Sequence, residues 1–566
     1  MPWRLRKYSE QALSREKRSV EPNLSAPIKI VLVYPNLYKT GVASLGFQVA
    51  YRLFNEQKDV CCERAFLPDS KIKSLLEKSG NELCSLETVS PLSTFFIIAF
   101  SLSFEMDFIN MLEILRLSGI PLFSRQRGED SPLVIAGGAI SFLNPEPIAD
   151  FIDIFLVGDG EELIPKFMRQ FTESFCKNRR RDELIADLSR LENVYVPSYY
   201  DPVYDGGGRL LSMTQNREVP ARVKRGYISD ISPYPNQSVI STKNSAFGDV
   251  SLVEMNRGCP YGCRFCAISY SYRPLSFRSR ESVERMIAES LTDKIGLVGS
   301  AIADHPQFDM ICKNIAGQGL DLGLASLRAD RLTREFMAIL HDRGIRTVTI
   351  APEAGSMRMR RIINKPIAEE TLLLAAQLAG DAGIAMVKLY FIVGLPWEKE
   401  SDIDAIINLT RNIKNHHQRY LKFSPKSRSR ITVSLNPFVP KPQTPFQWRA
   451  NERPQSIRKK IERITRAFRR DGGVRVQSYS PREAIVQSLL SRGDRRIGKL
   501  LHHQLIHGEK PQTAIKNLGI DLDFYLYRER EPDELFPWEI IETKSQREII
   551  RRHYRKAREL AQILLG

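Results

Sequence analysis

The chain has 566 residues, 42% of them apolar and 26% charged, with a net charge of +17. That length exceeds one ordinary core, the balance is that of a globular protein, and no apolar run approaches the roughly 18 residues of a membrane-spanning helix. The opening "MPWRLRKYSEQALSREKRSV" is basic but has no apolar core and no small-residue cleavage site, which excludes a secretory signal and predicts a cytoplasmic protein.

Residues 1–26 read as a basic N-terminal segment. After them, "IKIVLVYP", "FFIIAFSLS", "PLVIAGG" and "FIDIFLVGDGEE" read as buried strands, alternating with helices such as "SLGFQVAYRLFNE" and "FINMLEILRLSG". Continuous apolar strands separated by helices predict an α/β, doubly wound domain over residues 27–170. Residues 171–247, with the cluster "KNRRRDE" and several prolines, read as a connector. Within residues 248–450 six more strands, "SLVEM", "IGLVGS", "LGLASL", "TVTIAP", "MVKLYFIVG" and "ITVSLNPF", predict a partial (βα)6 barrel of the TIM type, whose active loops lie at the C-terminal strand ends. Residues 451–566 read as a basic, mainly helical region.

Charge is uneven. Between Asp404 and Glu452 no acidic residue interrupts a stretch containing Arg411, Lys414, Arg419, Lys422, Lys426, Arg428, Arg430, Lys441 and Arg449. This is either a solvated basic surface or an attraction for an anionic partner: nucleic acid, a phospholipid surface or a phosphorylated substrate.

Three of the eight cysteines, Cys259, Cys263 and Cys266, stand in "NRGCPYGCRFCAIS" directly after the strand "SLVEM". In a reducing compartment, cysteines clustered this closely are metal ligands or redox groups rather than disulfides. Gly258, Pro260 and Gly262 predict a tight loop on which three sulfurs converge. Structural zinc takes four protein ligands, and no neighbouring Cys or His supplies the fourth. A cube-shaped iron–sulfur cluster held by three thiolates keeps one iron open for another ligand.

The spacing CxxxCxxC, with the aromatic Phe265 before the last cysteine, resembles the signature of the radical S-adenosylmethionine (radical SAM) superfamily. The resemblance implies that Cys259, Cys263 and Cys266 hold a [4Fe–4S] cluster, that SAM chelates the fourth iron, and that one electron from the cluster, which an external donor of flavodoxin or ferredoxin type reduces, cleaves SAM to a 5′-deoxyadenosyl radical. It also implies that Phe265 packs against adenine. "APEAGSMRMRRIINKP" is similar to the fourth-strand segment of two branches of the family, making Glu353 and Ser356 candidates for SAM contact; Ser356 reads equally as a helix cap. "YFIVGLPWEKESD" resembles a segment whose backbone lies beside adenine. There only Gly394 carries over, because Trp397 stands where the family has glycine.

A doubly wound domain ahead of such a core resembles the cobalamin-binding domain of a large subclass. That domain often carries DxHxxG after its first strand, but here the text is "VYPNLYKTGVASLG", with Asn36 and no histidine. Any bound cobalamin would lack a histidine ligand from this domain. Gly137 and Gly138 match the glycine-rich strand ends that let a ligand approach the backbone, or they are ordinary strand–helix turns. In the C-terminal region His503 and His507 share a helix face and read as polar surface. The last helix carries an apolar stripe of Ile550, Tyr554, Ala557, Ala561 and Leu564, which docks on the core or lies on an anionic membrane. The leading expectation is a radical SAM enzyme, with cobalamin-assisted methylation or carbon-skeleton chemistry foremost. Its rivals are RNA modification, a lipid substrate, and a non-catalytic iron–sulfur redox sensor that binds nucleic acid.

Overall fold

The computed structural model describes residues 3–324, 327–421, 428–543 and 547–564, with side chains from residue 6 onward. Its first sheet is built from β1 (Ile28–Tyr34), β2 (Val60–Phe66), β3 (Ile97–Ser101), β4 (Leu133–Gly137), β5 (Ile154–Leu156) and β6 (Val194–Tyr195). The order is β2-β1-β3-β4-β5-β6, parallel except for the last pair. The antiparallel sixth strand comes from the segment read as a connector. β1 and β2 are buried, with Arg64 of β2 paired to Glu16 and Glu87; α1 (Leu45–Asn55) and α2 (Gly160–Cys176) pack on one side of the sheet. On the other side, Phe108, Met111, Leu112 and Leu115 meet Leu489, Leu500, Leu501 and Ala514 of the C-terminal region. The C-terminal region thus completes the core of the first domain.

The second unit is a curved parallel array. β7 (Ser251–Glu254), β8 (Lys294–Val298) and β9 (Asp321–Leu324) form one sheet, and β10 (Thr347–Glu353), β11 (Met386–Val393), β12 (Arg430–Pro437) and β13 (Val474–Ser478) another. A Leu327–Ile350 bridge joins the two. All six expected strands are present, although residues 325–326 of "LGLASL" lie outside the described residues. β13 is an addition: its sequence, VRVQS, is too polar to be read as a buried strand, and it forms the exposed edge of the array. The short α3 (Met357–Ile362) packs in a separate cluster with Phe438 and Phe446, while helices including α4 (Glu400–Tyr420) and α5 (Pro454–Phe468) cover the array.

The last helix, α6 (Arg547–Ile563), buries Ile550, Tyr554, Ala557 and Ala561 against the core, near Trp448, Phe446 and Met359. Of the acid-free basic stretch, Lys422 and Lys426 lie outside the described residues. Arg430 opens β12, so this part of the stretch sits at the N-terminal ends of the strands, opposite the cysteine loop. No helix among the described residues is long and apolar enough to cross a membrane.

Candidate active site

The cysteine loop leaves β7 at Glu254. Gly258 takes φ +85°, and a Cβ there would stand 2.2 Å from the Tyr272 carbonyl oxygen, so only glycine lets the loop lie against its own return segment. The side chains of Asn256 (2.8 Å) and Ser300 (2.6 Å) donate to the Gly258 carbonyl. Gly262, at φ +68°, has its carbonyl held by Asn364 at 2.9 Å and the Tyr270 hydroxyl at 2.8 Å. The Arg264 guanidinium is buried and donates to the carbonyls of Arg361 and Ile362 at the end of α3. The loop is therefore bonded on both sides of Cys263.

Cys263 is buried, with Cys259 and Cys266 partly so. Burial pushes the Cys263 thiol up to about 12, opposed by the nearby cations Lys365 and Arg328. Burial also raises Cys266, opposed by the backbone N–H groups of Ser269 and Ile268 and by the Ser269 hydroxyl. That hydroxyl is buried and has no other partner, so it is available to a charged sulfur. Among the described residues no three Cys, His, Asp or Glu side chains are gathered closely enough to hold one metal ion. The unpartnered Ser269 hydroxyl and the backbone N–H groups beside Cys266 are donors that suit a thiolate, the state in which cysteine binds iron.

The other residues singled out from sequence distribute as follows. Glu353 ends β10 at φ +65°, a conformation costly for a non-glycine residue, and its carboxylate pairs with Lys365 at 2.9 Å. Lys365 follows Asn364, whose side chain donates to the Tyr261 and Gly262 carbonyls, so Glu353 and the cysteine loop belong to one constellation. Phe265 is partly buried against an apolar cluster that includes Met359, Ile362, Phe438 and, from α6, Ala557. Ser356 caps α3, accepting from Met359 N–H at 3.1 Å, and its hydroxyl donates to Asp402. Gly394 takes φ +84°, and its N–H donates to Glu398 at 2.9 Å. Burial pushes Glu398 up to about 7 despite its 2.8 Å pairing with Lys460. Trp397 itself adopts φ +63° and stacks under Arg449 at 4.3 Å. His503 lies 3.3 Å from Glu509, far in sequence from the loop.

Gly137 and Gly138 line a cavity of about 400 Å³ that also reaches Leu32, Ala99, Leu156 and the inner face of α1. This is the point where the strand order reverses between β1 and β3, the crevice where doubly wound sheets take their ligands. Its far wall is formed by Asn236, Glu254, Asn256, Arg257, Tyr272 and Gly299, residues of or near the array's cysteine end. No histidine lines it. Asn36, just after β1, donates to Asp107 at 2.8 Å.

Sequence reading missed the charge cluster on this wall. Arg257 binds Glu161 at 2.6 Å, Glu254 at 3.0 Å and Asp159 at 3.4 Å, while Arg225 and Arg278 pair with Asp159 and Glu254. Three guanidinium groups and three carboxylates are thus matched across the domain boundary. Lys365 and Arg328 were also missed. Lys365 stands inside a segment already singled out, whereas nothing in the sequence pairs Arg257 with Glu161, 96 residues away.

Residues 46–197 match the family of radical SAM proteins, N-terminal, and residues 253–410 match the radical SAM superfamily. An uncharacterised protein of Methanocaldococcus jannaschii is 29% identical over 88% of this chain and 96% of its own length. An uncharacterised methyltransferase of Pyrococcus horikoshii is 26% identical over 39% of this chain, which spans half of that relative's length. Among solved structures, the cobalamin-dependent S-adenosylmethionine radical enzyme OxsB, with aqua-cobalamin and S-adenosylmethionine bound, aligns over 95% of this chain and 80% of its own at TM-score 0.48 and 13% identity. With its two matches covering more than half of the sequence, the chain belongs to the radical SAM superfamily, a class of enzymes that use a [4Fe–4S] cluster and SAM.

Proposed function

We propose that Cys259, Cys263 and Cys266 hold the cluster and that the cavity beneath the first domain holds a cobalamin, which serves a methyl transfer or carbon–carbon bond reaction on the substrate. The observation that carries this reading is the position of the cavity: it opens at the switch point of the first sheet and is walled by Asn256 and Arg257, immediately before Cys259. When bound, the cluster supplies the electron that cleaves SAM to methionine and a 5′-deoxyadenosyl radical.

The chain's own residues bind, orient and exclude water. Gly258 brings the loop against its return segment, and Asn364 and Tyr270 fix the carbonyl beside Cys263. Lys365 offsets the charge of the cysteine loop and is balanced by Glu353, the residue best placed here to meet the polar end of SAM. The backbone at Gly394 and the ring of Phe265 would meet its nucleoside. Ser356 supports this set as the cap that orients α3.

At the cavity, Gly137 and Gly138 leave the backbone approachable, Leu32, Val49, Leu53 and Ile135 give an apolar wall that would meet one face of a corrin ring, and the unpartnered Asn236 Oδ1 on the opposite wall would accept from one of its amide groups. No imidazole is available there to bind cobalt. Methyl transfer is also suggested by the named activity of the Pyrococcus relative. The test is retention of hydroxocobalamin by the protein on anaerobic gel filtration, with a shifted visible spectrum. Ala50→Trp, which fills the cavity from α1, should abolish retention while the cysteine loop still takes up iron. Equal retention by both proteins would remove cobalamin from this cavity.

A further inference from the structure

The reading above requires an electron to reach the cysteine loop, and one surface of the chain is built beside that loop. α6 crosses it: Ala557 and Ala561 pack near Phe265, and His553 Nδ1 lies 3.0 Å from the Tyr270 hydroxyl that holds the Gly262 carbonyl. The His553 ring meets Tyr270 edge-on at 5.6 Å, and its Cε1 stands 3.6 Å from where a Cβ on Gly262 would be. Tyr270 and Tyr272, from the same short segment, diverge: Tyr272 lines the cavity, Tyr270 meets α6. Hence α6 and the cavity flank the loop on different sides, leaving the α6 side free of the ligands assigned to the cavity.

That side is cationic. With Ile550, Tyr554, Ala557 and Ala561 turned inward, helical geometry puts Lys556 towards the flank of His553 and Arg552 beside it on the outer face of the helix, and both are exposed. Neither makes an ion pair among the described residues. Arg264 and Arg273 add their charge from the loop side, and these four cations, after burial, hold the His553 imidazole below its ordinary value. Ile268, two residues beyond Cys266, is 39% exposed and supplies an apolar contact. Arg555 and Arg558 lie on the other flank, and Arg555 is already paired with Glu548.

We propose that the Arg552–Lys556 face of α6, with Arg273 and Ile268, is the docking surface for an acidic one-electron carrier protein that reduces the cluster across His553 and Tyr270. The step is a transfer of one electron: the carrier is oxidised by one equivalent, the cluster reduced by one, and no bond or proton need move. Opposite charge would steer the encounter, and salt would weaken it.

The test resting on this proposal compares Arg552→Glu/Lys556→Glu with the equal charge change Arg555→Glu/Arg558→Glu, using a bacterial flavodoxin as probe. Two readouts are taken: direct binding at low ionic strength, and SAM cleavage driven by reduced flavodoxin or by dithionite. The expected result is at least tenfold weaker binding and slower flavodoxin-driven cleavage for the 552/556 variant alone, with dithionite-driven cleavage unchanged. Equal losses in both variants, or none in either, would overturn the docking surface. So would loss of RNA binding in place of flavodoxin binding. Absence of dithionite-driven cleavage in the unaltered protein would instead strike at the catalytic reading on which the proposal rests.

Discussion

Cys263 is the residue on which most of the site converges, since its loop is bonded from both sides and two cations face it. Cys263→Ala is predicted to lose the iron and the 4Fe–4S absorption while keeping the fold, measured by iron analysis and circular dichroism. Gly258→Ala is a different kind of change: a Cβ in the left-handed region, 2.2 Å from a backbone oxygen, forces the loop open. We predict destabilisation of about 2 kcal/mol or more and poor iron retention, read from the urea midpoint and iron content. That the three cysteines share one tight loop was legible in the sequence because they are a few residues apart among glycines. Lys365 and Arg328 were not, because each becomes a neighbour of Cys263 only through folding. Trp397 marks the limit of resemblance. Where the family has glycine, this chain has a non-glycine residue in the left-handed region, with its indole carrying Arg449.

Among the elements, the strands of the array were readable because each keeps a row of apolar residues against the surrounding helices: along β10, β11 and β12 every second residue is buried and the alternate ones are only partly covered. β13 escaped because an edge strand needs no such row. The apolar stripe of α6 was also legible, but not its seat on the cysteine loop, which depends on Tyr554 meeting Trp448 at 5.2 Å and Trp397 at 6.5 Å. Tyr554→Ala is predicted to cost about 3–5 kcal/mol by opening a cavity under α6. The same variant should hasten oxygen damage of the reconstituted cluster, followed as loss of visible absorbance in air. Unchanged stability and oxygen lifetime would mean that α6 does not shield the loop.

At the scale of the whole molecule, two domains meet on the charge cluster around Arg257, and the C-terminal region completes the first domain's core. Burial alone would raise Glu161, but Arg257 and Asn236 overcome it and hold the carboxyl at about 2, below its ordinary 4.5. A carboxylate depressed in the folded state stabilises fully above its unfolded value, and that contribution is lost as pH falls towards 2. Glu161→Gln should therefore flatten the stability profile below about pH 4.5, and Arg257→Met should cost about 3–5 kcal/mol by stranding buried carboxylates, both read by chemical denaturation across pH. None of this was legible in the sequence, where the charges belong to separate domains. The most direct test of the central claim is anaerobic reconstitution with iron and sulfide, dithionite reduction in the presence of SAM, and assay for 5′-deoxyadenosine. The account predicts that 5′-deoxyadenosine forms and that Cys263→Ala abolishes it; a fully loaded, reducible cluster that never cleaves SAM would contradict it.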